Sequence, residues 1–218
     1  MVRRAAGIVP RPNVKYCTML TLRSLPPSPF GRKVKIAAAL LNIPLDIKAA
    51  DTNDPGDDLR RQNPVGKIPV LIDEAGETYF DSRVIVEYLD EHAGGGKIVP
   101  RGKARLDALR LQALCDGALD ACLLIVYEAR FRDEAMRVTK WIDHQAGKVA
   151  RAMDYLEANV PPLDPLPNVG QIALACLLGY RDLRFPDQDW RKSHPRLHAW
   201  HDKFAAQVPA FAATRATA

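Results

Sequence analysis

The sequence predicts two unlike domains in tandem, a small mixed α/β unit followed by an all-helical bundle. Three observations predict it. Strand-like and helix-like stretches alternate at short intervals over residues 19–93, and a Gly- and Pro-rich segment, "AGGGKIVPRG" (Ala93–Gly102), then interrupts the chain. Beyond it the apolar residues recur only at helical spacing. With 218 residues and 47% apolar side chains, the chain is long enough to bury an ordinary core.

Each element has a local reason. "TMLTLRS" is a strand, rich in apolar and β-branched residues. In "SPFGRKVKIAAALLN" Phe30, Val34, Ala37 and Leu41 fall on one helical face, and Ser28 before Pro29 joins a good N-cap to proline at the first helical position. "LDIKAA" is a second strand, and "DPGDDLRRQN" is polar enough for a short exposed helix or loop. "IPVLIDEAGETYF" gives two strands flanking a turn at Glu74–Gly76, a hairpin signal. "SRVIVEYLDEH" closes the unit as a helix with Val84, Ile85, Tyr88 and Leu89 facing inward.

After a linker over residues 94–102, residues 103–218 form the helical domain. One helix runs from about Lys103 to Arg130, and a second uses Val138, Ile142, Val149, Met153 and Leu156. "PPLDPLPN" breaks the chain before a third, with Val169, Ile172, Ala173, Cys176 and Tyr180 on one stripe, and "SHPRLHAWHDKF" brings a fourth. "NVGQ" (Asn168–Gln171) offers Asn as N-cap and Gln three positions on, a capping-box pattern in which Gly170 weakens the turn.

Charge argues against nucleic acid or membrane as partner. The net charge is +5, but residues 1–18 hold four basic and no acidic residues, leaving 27 basic against 26 acidic elsewhere. Those 18 residues, interrupted by Pro10 and Pro12, are expected to form an irregular arm. The longest apolar runs, such as "ACLLIVY", fall short of the roughly 20 residues a membrane span needs. Cys17, Cys115, Cys122 and Cys176 show no CxxC or metal-type pairing, and no signal-peptide pattern precedes them, which suits a reducing cytoplasmic setting. Cys115, Cys122 and Cys176 lie in apolar helical patterns and read as buried, inert thiols. His194, His198 and His201 have a spacing that would suit a metal on one helical face, but His194 precedes Pro195 and belongs at the helix start, so no metal is expected.

The unusual chemistry of the first domain sits at two helix starts and one proline. Ser28 opens one helix. In "FDSRVI", Asp81 and Ser82 set a carboxylate and a hydroxyl beside free backbone N–H groups, a place for a ligand bearing both an ammonium and a carboxylate. "NPVGKIPVL" places Lys67 and Ile68 directly before Pro69. At both helix starts ordinary capping is the alternative. Together the features suit a small peptide charged at both ends: Lys67 for a terminal carboxylate, the Ile68 backbone for strand-like pairing, Asp81 and Ser82 for an amino-acid head group, and a reactive centre near Ser28.

"SPFGRKVKIA", "NPVGKIPVLID" and "FDSRVIVEYL", in this order and followed by a helical domain, resemble the glutathione S-transferase family. The resemblance spans about residues 19–211 and includes the ending "LRFPDQDWRKSHPRLHAWHDKFAAQVPAF". It implies an α/β thioredoxin-like N-terminal domain plus an all-α helical-bundle C-terminal domain, a cis bond before Pro69, a homodimer, and glutathione as co-substrate with no other cofactor. By position it makes Ser28 the catalytic serine and Ile68 the backbone-pairing residue, with Lys67 on the glycine carboxylate and Asp81 and Ser82 on the γ-glutamyl end. Asp81 stands where many members have glutamate. The implied reaction is attack of an activated thiolate on a small, hydrophobic electrophile held against Leu119, Tyr127 and Phe131, residues that equally suit a core. "SPFG" contains no cysteine, which argues against disulfide exchange through a protein thiol. The rival reading is the same fold serving as a binding or regulatory module without catalysis.

Overall fold

The computed structural model describes residues 19–216, so the expectations for the arm and for Cys17 lie outside the described residues. A four-stranded sheet has the order β2-β1-β3-β4. β1 (Leu20–Arg23) pairs parallel with β2 (Leu45–Lys48), which requires the crossover through α1 (Pro29–Leu40). β3 (Val70–Ile72) runs antiparallel to β1, and β4 (Thr78–Tyr79) returns along β3 as the hairpin. Between β2 and β3 lies one turn of helix, α2 (Leu59–Gln62), and after β4 comes α3 (Ser82–His92), packed against α1.

The rest is helical: α4 (Gly102–Phe131), a short 3₁₀ turn (Glu134–Met136), α5 (Thr139–Ala158), α6 (Val169–Arg184), α7 (Pro195–Gln207) and α8 (Pro209–Ala213). α6 is the centre, packed against α1, α4 and α7, and its residues 169–178 are all buried. A helix surrounded in this way has no polar face to show, hence the near-continuous apolar run "IALACLL". One apolar core extends from Leu20 and Leu22 of the sheet through α1 to α6 and Trp200 and Phe204 of α7.

The linker is tied down. Asp90, only 2% exposed, accepts the N–H groups of Gly96, Lys97 and Ile98 at 2.6, 3.0 and 2.7 Å, and the carbonyl of Ile98 accepts from Val169 at 2.8 Å. The capping box is formed: Asn168 Oδ1 accepts from Gly170 and Gln171, and Gln171 Oε1 accepts the Asn168 N–H at 3.0 Å. Gly170 has a reason the propensity argument did not supply, since a Cβ there would lie 2.6 Å from the Ala108 carbonyl of α4. Only glycine lets the two helices approach this closely.

Three packing expectations are corrected. Val84 is 49% exposed, and α3 turns Ile85, Val86 and Leu89 to the core instead. Val138 is 48% exposed because it is the N-cap of α5, one residue ahead of the bundle stripe. α1 is not one-sided: packed between α3 and α6, it also buries Arg32 and Lys33.

Candidate active site

Strand register brings the candidate residues to one end of the sheet. Arg23 pairs with Val70, and Leu71 with Tyr79. The loop from Ser24 to Ser28, the Ile68–Pro69 step and the Phe80–Ser82 step therefore all lie at the same end of the sheet. The Ile68–Pro69 bond is cis.

The approach to Pro69 is shaped by Asn63, which is buried at 3% exposure. Its Oδ1 accepts the Val65 N–H at 3.0 Å and its Nδ2 donates to the Lys67 carbonyl at 2.8 Å, while Gly66 takes a φ of 64° to complete the turn. This leaves the Lys67 side chain exposed and Ile68 half-buried, with no hydrogen bond from the Ile68 main-chain N–H or C=O among the described residues. Asp81 caps α3: its Oδ1 accepts the Arg83 N–H at 2.9 Å, its side chain stays exposed, and Ser82 beside it is buried.

Ser28 caps α1. Its φ and ψ of −72° and 117° are extended, and its Oγ accepts the Gly31 N–H at 3.0 Å. A Cβ on Gly31 would collide with the Oγ of buried Ser24, so a larger residue there would force the Ser24 hydroxyl to move. Ser28 is half-buried and borders a cavity of about 630 Å³. Pro26 and Pro27 form the near wall, and Tyr180, Leu183 and Phe211 the far one.

The three residues expected for an acceptor wall on α4 do not border the cavity beside Ser28. Leu119 is 1% exposed and belongs to the core. Tyr127 and Phe131, exposed near the end of α4, line a second hollow of about 350 Å³ with Leu124 and Trp141, and Ser28 is not among its walls. The cavity beside Ser28 is instead walled by α6, α8 and the residues after α8.

Charge is distributed unevenly around α1. Lys33, fully buried, donates to both oxygens of Asp116 at 2.9 and 2.8 Å, and Arg83 Nε reaches the same carboxylate at 3.0 Å. Asp116 of α4 thus ties α1 and the start of α3 to the helical domain. One turn further on, the Asp120 carboxyl is pushed up by partial desolvation and by Asp116, against the pull of Arg83 and Lys67. On the other side, Arg32 is 8% exposed; it donates to the Phe211 carbonyl at 2.5 Å and to Thr214 Oγ1 at 3.3 Å, and lies 4.0 Å from the centre of the Phe211 ring. Burial pulls its guanidinium down from the ordinary value, and Arg215 adds to that. A Cβ on Gly179 would collide with Arg32 Nη1.

Among the described residues, no cysteine competes with Ser28 and the three histidines near α7 form no cluster. Burial pushes the Cys122 thiol up to about 11 and the Cys176 thiol up to about 12, and raises Cys115 as well, so none of these is a thiolate near neutrality. The histidines do not converge: His194 is the N-cap of α7, with Nδ1 3.0 Å from the Trp190 carbonyl and Nε2 3.2 Å from Asp154. His198 and His201 pack edge-on against Trp190.

Sequence reasoning missed Asn63, Arg32, Lys33, Arg83 and Asp116. The adjacent cations in "GRKVK", inside an otherwise apolar helix, were the available signal. Asp116 had none, because its partner Lys33 is 83 positions away.

Comparison with known proteins bears on the fold and the family. The glutathione S-transferase N-terminal domain model matches residues 22–97, and the C-terminal domain model matches residues 139–203. The uncharacterized GST-like protein YibF of Escherichia coli is 32% identical over 78% of this chain and 86% of its own. A stringent starvation protein A homolog of Coxiella burnetii is 34% identical over 44% of this chain and 47% of its own. A glutathione transferase family member of Pseudomonas fluorescens, crystallised with bound glutathione, superposes with a TM-score of 0.83 at 37% identity, covering 91% of this chain and all of that one. It was also crystallised with S-(propanoic acid)-glutathione. The chain belongs to the glutathione S-transferase family.

Proposed function

We propose that the protein is a glutathione transferase in which Ser28 stabilises the glutathione thiolate and the adjoining cavity receives a small electrophile. The observation that carries this reading is the Ser28 hydroxyl: it caps a twelve-residue helix, borders the cavity, and uses only an acceptor lone pair in doing so. A hydroxyl has one donor and two acceptor sites, so Ser28 can hold the Gly31 N–H and still donate to sulfur.

The magnitudes suffice. A thiol of pKa about 8.5 is only roughly 3% ionised at pH 7. A hydrogen bond to a charged sulfur contributes roughly 1.5–3 kcal/mol and the helix N-terminus about 0.3–1 kcal/mol, together some 1.5–3 pKa units. No proton-abstracting base is then required. The thiolate forms the new S–C bond, and the electron pair it displaces departs with a leaving group or takes a proton from water.

The rest of the peptide follows the end of the sheet. Lys67 holds the glycine carboxylate, the unpaired Ile68 main chain pairs with the cysteinyl residue, and Ser82 with the free Asp81 oxygen takes the γ-glutamyl end. The Pseudomonas relative's complexes with glutathione and a glutathione thioether support glutathione as the peptide, and the residue roles rest on position alone. A cytoplasmic homodimer is the form in which we expect it to act.

The match to a stringent starvation protein A homolog favours a second reading, a binding module without catalysis. Binding to immobilised glutathione, then the ultraviolet thiolate absorbance of the complex, separates the two. Wild type is expected to bind and show thiolate, and Ser28→Ala to bind with most of that absorbance gone. No binding favours the module, and equal absorbance in both proteins removes Ser28 as activator.

A further inference from the structure

Arg32 and Lys33 are consecutive, both buried, and matched differently. Lys33 has the Asp116 carboxylate in bidentate contact. Arg32 has only neutral acceptors, the Phe211 carbonyl and Thr214 Oγ1, and no carboxylate within ion-pair distance among the described residues. Its Nη1 makes no hydrogen bond among the described residues and lies over Gly179, and both residues are among those that line the cavity. A buried cation without a counter-charge is unfavourable unless something supplies one.

Asp182, on the same cavity, acts on Arg32 only at a distance and forms no ion pair with it. Asp182 is spent on Arg191, which it holds at 2.8 and 2.7 Å, and it also accepts from Trp190 Nε1 at 2.8 Å. Burial pushes the Asp182 carboxyl up, but these donors outweigh it and leave it below the usual range. His201 is driven toward its neutral form by burial. Arg215, exposed on the cavity wall, has no acidic partner among the described residues. The cavity therefore presents two unmatched guanidinium groups beside an apolar wall of Leu183 and Phe211.

We propose that the pocket beside Ser28 selects electrophiles that carry a carboxylate, received by Arg32 Nη1 and Arg215, with the apolar body of the molecule against Leu183 and Phe211. The carboxylate takes no part in the bond change; it fixes which end of the acceptor faces the sulfur. This rests on the reading that the glutathione sulfur sits at Ser28.

The test is a series of S-(ω-carboxyalkyl)glutathiones of increasing chain length, each compared by calorimetry with its neutral primary amide. Wild type is expected to bind the acid about tenfold or more tightly than the amide at the best-fitting length, as a charge-assisted bond implies. Arg215→Ala is expected to cut that ratio several-fold, and Arg32→Gln to cut it further. Acid and amide binding equally at every length, with glutathione itself bound, overturns the carboxylate pocket alone. Failure of glutathione and every derivative to bind overturns the placement of the sulfur as well. The wild-type comparison holds even if Arg32→Gln does not fold.

Discussion

The two halves of the site are built by opposite means. The proposed glutathione half comes from one end of the sheet, where Ser28, Ile68 and Asp81 lie within some fifty residues of one another and use backbone ends, turns and exposed side chains. The proposed acceptor half is assembled from α1 and, more than a hundred residues further along the chain, α6 and α8, and its chemistry lies in buried charge. Altering the first half should cost function and little stability. Altering the second, or the seam between the halves, should cost both.

Asp116 is the severest test of that contrast, because it joins α1, α3 and α4. Asp116→Ala strands Lys33 in the core, with an expected loss of about 3–5 kcal/mol in chemical denaturation. The pair Lys33→Met with Asp116→Leu should recover most of it, which separates an orphaned charge from a requirement for the ion pair. Next, Gly170→Ala drives a Cβ into the Ala108 carbonyl and should cost about 1–3 kcal/mol by the same measurement, with glutathione binding to the remaining folded protein intact.

Ser28→Ala removes a cap and should cost about 1 kcal/mol of stability, while the pKa of bound glutathione, read by ultraviolet titration, rises by about one unit or more. A stability loss with no change in that pKa would make Ser28 a cap alone. Lys67→Ala should leave the denaturation midpoint within about 0.5 kcal/mol and weaken glutathione roughly tenfold. The smallest effect concerns pH. Burial holds the folded pKa of His201 below its ordinary 6.5, so above that value its proton does not affect stability, and as pH falls through 6.5 the unfolded chain protonates first and stability declines. His201→Phe should flatten that acid-side slope in denaturation midpoints compared between pH 7.5 and 5.5.

The same contrast explains what was legible in the chain. Ser28-Pro29, the hairpin, the capping box and the Gly-rich linker are local patterns whose geometry follows from a few consecutive residues. Their order along the chain was enough to point to a family. Leu119 misled because a leucine on a long helix reads alike whether it meets substrate or core. Tyr127 and Phe131 lie apart from the Ser28 cavity, a separation that no local pattern along α4 reveals. Val84 and Val86 are interchangeable in composition, and only the packing of α3 on α1 decides which is inside. Arg32 and Lys33 were hidden by the expectation that cations on a helix face water, which fails when a helix is enclosed on two sides.

Gly179 gives the acceptor pocket its smallest control element. It contributes no side chain to the cavity, yet the room it leaves on α6 is where the Arg32 guanidinium lies. A single methyl group there would act as a gatekeeper in reverse, evicting a positive charge where a bulky gatekeeper would exclude a substrate. Gly179→Ala is thus a handle for retuning the electrostatic preference of the pocket through the position of Arg32, with the guanidinium itself left in the sequence.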